Sequence, residues 1–244
     1  MTIAVLFFGN AGAGKSTLLS QIGGNFESGV KFRGGFTKDI YEDWVNINGN
    51  DVLLMDVPGL FEPDNEQTEF NAKKLTEALN RGYHYKLYFV LRASNRGPDD
   101  AEMVMMAKVN ECVRQANGAQ VSFRVIVNQI PDQGVYDMYE QYIARDNFKS
   151  LFRGLNIQGF SFDIKIDNVT LICFNTAEVK ANELKNKIAQ EVEAHHATPL
   201  SRIKNFLVSN MDLKFFAKAL VALLVVVDRV FTGGIFNAMG FLSF

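Results

Sequence analysis

The chain has 244 residues, a formal net charge of −2 and 48% hydrophobic residues, which suits one sizeable α/β domain with an appendage. A general nucleic-acid binder normally carries a basic excess, so this charge argues against that class of protein. Cys112 and Cys173 lie in apolar segments without metal-ligand spacing. We therefore expect reduced thiols in a cytoplasmic protein.

Strand-like apolar runs alternate with helical stretches along the chain, which predicts a mostly parallel sheet with helices on both faces. The first run begins at Ile3, so we expect no secretory leader. Asn48-Gly49-Asn50 predicts an antiparallel hairpin at one edge of the sheet, and residues 156–168 are expected to be irregular. The predicted strands are 3–8, 44–47, 52–55, 86–91, 123–127 and 169–174, and the predicted helices are 17–22, 67–81, 98–117, 136–152 and 178–194.

A glycine-rich segment with the pattern G-x-x-x-x-G-K-S connects the first predicted strand to the first predicted helix. Glycines at 9, 12 and 14 let successive N–H groups turn toward a phosphate, and the positive end of the helix adds to the same anion site. Lys15 is predicted to reach the β- and γ-phosphates, and the Ser16 hydroxyl to bind Mg²⁺. The predicted phosphate contacts are Asn10, Ala11, Gly12, Ala13, Gly14, Lys15, Ser16 and Thr17.

A second motif distinguishes a GTPase from the kinases, motors and transporters that share such a loop. Asp56-Val57-Pro58-Gly59 follows the third predicted strand as D-x-x-G. The acid can hold Mg²⁺ through water, and the Gly59 N–H can contact a γ-phosphate. Thr37, or alternatively Ser28, would complete the Mg²⁺ shell only when that phosphate is present. We therefore expect catalytic roles for Lys15, Thr37 and Gly59, and a Mg²⁺ site made of Ser16, Thr37 and Asp56.

The runs GNAGAGKSTLLSQIGGNFESGVKFRGGFTKDI and MDVPGLFEPD resemble the GIMAP family of immunity-associated GTPases. That family is related to the septins and to the chloroplast-import Toc GTPases. Two later runs, LRASNRGPDDAEMVMMAKV and CFNTAE, resemble the family's own box and its base-side loop. The resemblance implies a G domain that binds GTP with Mg²⁺, hydrolyses it slowly and associates with itself.

The base-reading motif departs from the family pattern. The fifth predicted strand ends in Asn128-Gln129-Ile130-Pro131-Asp132, where Gln129 replaces the usual lysine and the acid stands one residue late. An acid at this point accepts hydrogen bonds from guanine, and a site built for such bonds discriminates strongly. Either Pro131 bends the loop so that Asp132 still reaches the base, or the selectivity for guanine is weakened. Asn175 is expected to lie against the base or its carbonyl.

The position after Gly59 is Leu60, where many small GTPases carry a glutamine that orients the attacking water. A leucine side chain cannot accept a hydrogen bond from water. Relatives of the resembled type are often slow or use groups contributed across a dimer, and an arginine in trans is worth about 10³–10⁵ in rate. Arg33, Arg92 and Arg96 are candidates by location.

Residues 201–244 carry five Lys or Arg and two Asp and are strongly apolar. The predicted domains are therefore a G domain, 1–200, and a C-terminal extension, 201–244. The apolar run Ala219 to Val227 is shorter than the roughly 20 residues that span a bilayer. Three interpretations remain open: a helix packed on the domain, a basic and apolar membrane-surface segment, or a dimerisation helix.

The sequence thus predicts an α/β P-loop G domain with a mostly parallel sheet, one antiparallel edge strand and a C-terminal helical extension. Its predicted function is a GTP-binding switch with slow, dimer-dependent hydrolysis, placed in the cytoplasm or on the cytosolic face of a membrane, without a nucleic-acid partner. Two alternatives are a nucleotide-binding scaffold with negligible turnover and a P-loop NTPase without strict base selectivity.

Overall fold

The computed structural model describes residues 2–26, 37–60, 65–95, 97–98, 100–146, 164–173 and 181–203. Seven strands and five helices occur within these ranges. In chain order they are β1 (Ile3–Phe8), α1 (Lys15–Gln21), β2 (Tyr41–Ile47), β3 (Asn50–Asp56), α2 (Asn65–Leu79), β4 (His84–Arg92), α3 (Asp100–Asn117), β5 (Ser122–Ile130), α4 (Gln133–Asp146), β6 (Lys165–Cys173), α5 (Ala181–Ala194) and β7 (Thr198–Pro199).

Six of these strands form one path through the sheet, in the order β2-β3-β1-β4-β5-β6. All neighbours along this path are parallel except β2 and β3, which pair antiparallel. Asn48 and Gly49 close that hairpin with φ angles of 50° and 86°, the positive values that a tight two-residue hairpin turn requires. The predicted α/β fold with an antiparallel edge strand is confirmed.

The boundaries of several elements differ from the prediction. Helix α1 begins at Lys15, two residues early, because Gly14 in the left-handed conformation is its N-cap. The prediction of an irregular stretch up to residue 168 was wrong for its last part, because β6 begins at Lys165 with alternating exposed and buried side chains. The two-residue strand β7 pairs with the start of β4 and was missed, since two residues show no periodicity.

The centre of the sheet is buried. Residues 4–8 of β1 are at most 1% exposed, which explains why this strand is continuously apolar rather than alternating. Aromatic side chains of β1 and β4 contact each other across the sheet, as in the Phe7–Tyr88 and Phe8–Phe89 pairs. Because the carboxyl ends of parallel strands meet at one edge, the loops after β1, β3 and β5 converge there.

Residues 201–203 are bound to the ends of two helices. The Ser201 N–H donates to Asn117 Oδ1 at 2.9 Å, and Asn80 exchanges two hydrogen bonds of 2.8 Å with the backbone of Ile203. Residues 204–244 of the predicted extension lie outside the described residues. Among the helices that are described, none combines the length and the apolar character needed to cross a bilayer.

Candidate phosphate and metal site

The phosphate loop between β1 and α1 has the backbone conformation expected of such a loop. Gly12 and Gly14 have φ angles of 79° and 91°, which side chains other than glycine rarely adopt. Gly9 was predicted to help turn N–H groups toward a phosphate, but the structure gives another reason for a glycine there. A Cβ on Gly9 would lie 2.4 Å from the Val90 carbonyl oxygen of β4. Glycine thus serves the loop in two ways, by backbone freedom and by close packing against the sheet.

The Lys15 side chain folds back over this loop. Its Nζ donates to the carbonyl oxygens of Gly9 at 3.0 Å and Asn10 at 3.1 Å, and the residue is 6% exposed. A buried ammonium group is costly unless it is hydrogen-bonded. The loop therefore holds the positive charge where an incoming phosphate would meet it.

Three predicted metal residues from separate parts of the chain meet at one point. Ser16 Oγ donates to Asp56 Oδ2 at 2.6 Å, Thr37 Oγ1 donates to the same oxygen at 3.0 Å, and the two hydroxyl oxygens are 3.1 Å apart. Ser16 lies in the first turn of α1, Asp56 ends β3 and Thr37 precedes β2. The sequence prediction placed these residues in one shell, and the structure brings them together.

The environment of Asp56 fits a cation. The residue is 1% exposed, and among the described residues its buried Oδ1 atom has no hydrogen-bond partner. Burial raises the pKa of this carboxyl above its usual value, against the opposing effects of the Ser16 hydrogen bond and the Lys15 charge. A buried carboxylate with an unmatched oxygen is stabilised when a positive ion lies beside it.

The donor set matches Mg²⁺ with its usual mixed shell. Within the described ranges, no three His, Cys, Asp or Glu side chains come together as a metal cage. Mg²⁺ is commonly held by one or two carboxylates together with waters and substrate phosphates. One carboxylate and two hydroxyls therefore fit an ion that arrives with a nucleotide.

Gly59 is held between the phosphate loop and α2. A Cβ on Gly59 would lie 2.5 Å from the Ala11 nitrogen, so only glycine fits there. On the other side, its carbonyl oxygen accepts a 2.6 Å hydrogen bond from Asn71 Nδ2. Asn71 was not among the predicted site residues, although a polar residue on the buried stripe of a predicted helix, beside Ala72 and Leu75, is a recognisable signal.

Two consecutive amide side chains join the end of β5 to the phosphate loop. Asn128 Nδ2 donates to the Ala13 carbonyl at 2.9 Å, and Gln129 Nε2 donates to the Gly12 carbonyl at 3.0 Å. Gln129 has a φ angle of 62°, and the β5–β6 register shifts at this point, between Val127 and Ile130. At this irregularity both side chains are directed toward the loop, while the Asn128 backbone stays paired with Arg92 of β4.

Asp132 caps a helix in this structure. Its Oδ1 atom accepts from the Val135 N–H at 2.9 Å, which is the bond an N-cap residue makes at the start of a helix such as α4. One oxygen of the predicted base-reading acid is thus engaged with the protein backbone. Asn175, Ser28, Arg33 and Arg96 lie outside the described residues, and Arg92 is exposed at the end of β4.

The chain is similar in sequence to known GTPases. The model of a protein family described as 50S ribosome-binding GTPase matches residues 4–128, which is 125 of the 244 residues. The tRNA modification GTPase MnmE of Acetivibrio thermocellus is 28% identical over 98 residues, or 40% of this chain and 21% of that protein. MnmE of Streptococcus pyogenes is 25% identical over 131 residues, or 53% of this chain and 28% of that protein. The chain thus matches less than a third of the length of these relatives.

A solved structure shares the fold. The structure concerns the chloroplast translocon components atToc33 and psToc159, for which dimerization is stated to be important for GTPase activity. It aligns with a TM-score of 0.53 at 18% identity and covers 80% of this chain and 85% of that one. At this level of identity the likeness concerns the arrangement of helices and strands alone.

Proposed function

Because this chain belongs to the family described as 50S ribosome-binding GTPases, we propose that it is a switch protein that binds GTP together with Mg²⁺. The convergence of Ser16, Thr37 and Asp56 carries the proposal. Thr37 comes from a segment far from the phosphate loop in sequence, so its hydroxyl would bind the ion only in one conformation of that segment. Such a contact makes the conformation depend on the γ-phosphate.

We propose that the base is read from the β5 end of the site. Asn128 and Gln129 contact the phosphate loop. The base of a bound nucleotide would lie next to them. Asp132 and Asn175 are the proposed contacts to guanine. The helix cap formed by Asp132 leaves its second carboxylate oxygen for the base, which gives weaker discrimination than two oxygens.

Hydrolysis is proposed to be slow and to depend on self-association. Leu60 is 3% exposed, and its aliphatic side chain cannot orient water. A group from a second copy would supply what is missing, as an arginine in trans does in other GTPases. The same dependence on dimerization is stated for the chloroplast translocon components.

One experiment tests these points together. GTP, ATP and xanthosine triphosphate compete for the site against a labelled GTP analogue, and GTP turnover is then followed over a range of protein concentrations. We expect GTP to compete best and turnover per molecule to rise with concentration, because dimers form by mass action. Equal competition by ATP would contradict guanine reading, and turnover independent of concentration would contradict dimer dependence.

A scaffold that binds nucleotide without turning it over is the second candidate. The buried Leu60 favours it, because a leucine side chain cannot orient the attacking water. Turnover that stays at the uncatalysed rate at every concentration, with GTP binding intact, is the outcome this candidate requires. The third candidate, a P-loop protein without base selectivity, requires the equal competition by ATP.

We further propose that the protein is GIMAP-like and acts on the cytosolic face of a membrane. The C-terminal extension would make the contact with the membrane. The hydrogen bonds of Asn80 and Asn117 reach Ile203 and Ser201, so a truncation after Ile203 keeps these contacts. We expect the full chain to co-sediment with anionic lipid vesicles and the truncated chain to stay in the supernatant, because the removed segment is apolar and basic. Equal co-sedimentation of both forms would refute a membrane role for the extension.

A further inference from the structure

The Gly59 backbone has to satisfy two opposing requirements. The contact with Ala11 demands a glycine, since a Cβ would lie 2.5 Å from the Ala11 nitrogen and 2.9 Å from the Asn10 carbonyl carbon. Glycine, however, has the largest conformational freedom of any residue. A backbone group that is to sense a phosphate must point in one direction before the phosphate arrives, and glycine alone does not provide that.

Asn71 supplies the missing constraint. Its Nδ2 donates to the Gly59 carbonyl at 2.6 Å, and the residue is 1% exposed. Gln67, one turn earlier in α2, donates to Asn71 Oδ1 at 2.7 Å. This second bond fixes which face of the Asn71 amide is presented to Gly59, so the donor is oriented by its own helix.

The hydrogen bond from Asn71 to the Gly59 carbonyl determines the direction of the peptide group between Gly59 and Leu60. In a trans peptide the C=O and N–H groups point in opposite directions. With the Gly59 carbonyl held toward α2, the Leu60 N–H is directed away from α2. The peptide group between Gly59 and Leu60 is thereby held in one orientation, and the Gly59 Cα lies against the Ala11 backbone.

We propose that Asn71 is a positioning residue that orders the Gly59 backbone for the γ-phosphate. The proposal rests on the proposed GTP-binding function and adds a residue to it. Because Asn71 belongs to α2, the helix contributes to the γ-phosphate contact through the Gly59 backbone.

The test compares two ligands, GDP and a non-hydrolysable GTP analogue, on the full chain and on Asn71→Ala. We expect the affinity for the analogue to fall about tenfold, the effect of one lost hydrogen bond, with little change in the affinity for GDP. An equal loss for both ligands indicates a general structural defect and overturns the proposal. Unchanged affinity for both ligands overturns it as well.

Two further variants make the result specific. Asn110→Ala removes an equally buried asparagine from α3 and is expected to lower stability without separating the two affinities. Gln67→Ala leaves the Asn71 donor in place but removes the bond that orients it, so a smaller loss confined to the analogue is expected. If Asn71→Ala does not fold, Gln67→Ala tests the proposal in its place. Unchanged affinity of Gln67→Ala for the analogue would then refute the proposal. Failure of the unmodified chain to bind either ligand would instead contradict the proposed function.

Discussion

Replacing Lys15 by methionine is expected to lower the affinity for GTP by about 10²–10⁴-fold, because two charge-assisted hydrogen bonds to phosphates are lost at about 1.5–3 kcal/mol each. Methionine keeps the length of the apolar stem, so the packing beneath the loop persists. The free energy of unfolding without nucleotide should change by about 1–2 kcal/mol, because the loss of the bonds to the Gly9 and Asn10 carbonyls is partly offset by removal of a buried charge. Calorimetric titration and denaturant unfolding measure the two quantities.

Lys187→Met is the matched control. Its Nζ also donates to a backbone carbonyl, that of Leu171 at 2.8 Å, but it belongs to α5 rather than to the phosphate loop. We expect this variant to bind GTP as the unmodified chain does. Equal GTP affinity of Lys15→Met and Lys187→Met would contradict the role of Lys15.

Asp56→Asn is expected to have opposite effects on binding and on stability. Binding of Mg²⁺ in the nucleotide complex should weaken by about 10–100-fold, the usual result of removing a group that holds a metal ion through water. The protein without metal and nucleotide should become more stable at neutral pH. There the cost of burying the carboxylate exceeds what its hydrogen bonds and the Lys15 charge return, and within the described residues its Oδ1 atom lacks a partner.

The pH dependence follows from the raised pKa of Asp56. Between the usual carboxyl pKa and the raised one, the folded state binds more protons than the unfolded state, so stability decreases as the pH rises through this window. Asp56→Asn should remove that decrease. Asp51→Asn, an exposed position on the same strand, should leave it unchanged, and a decrease that persists in Asp56→Asn would show that another group causes it.

The parts of the site that the sequence predicted are those with local causes. The loop around Lys15 depends on glycine conformations and on a strand followed by a helix, which are all encoded within a few residues. Asp56 and Gly59 follow a buried strand at a fixed spacing. The Asn48-Gly49 turn determines its own hairpin. Each of these predictions needed only neighbouring residues, and the fold confirms the strands and the turn that carry them.

The parts that were missed depend on contacts between distant segments. The role of Asn71 is set by the Gly59 carbonyl reaching α2, and no local pattern reports where a carbonyl points. The left-handed Gln129 arises from a register shift between β5 and β6, which depends on the pairing of two strands. Asp132 has the residue type of both a helix cap and a base reader, so its sequence position alone did not separate the two roles.

The amide links from Asn128 and Gln129 to the phosphate loop differ in kind from the contacts of Lys15. Both links join uncharged groups, a side-chain amide and a backbone carbonyl. Dissolved salt screens the attraction between charges but hardly affects such neutral hydrogen bonds. Rising ionic strength therefore weakens the long-range attraction that brings a nucleotide to the site, while the loop keeps its shape. The shape of the site and its electrostatic attraction for phosphate thus respond differently to ionic strength.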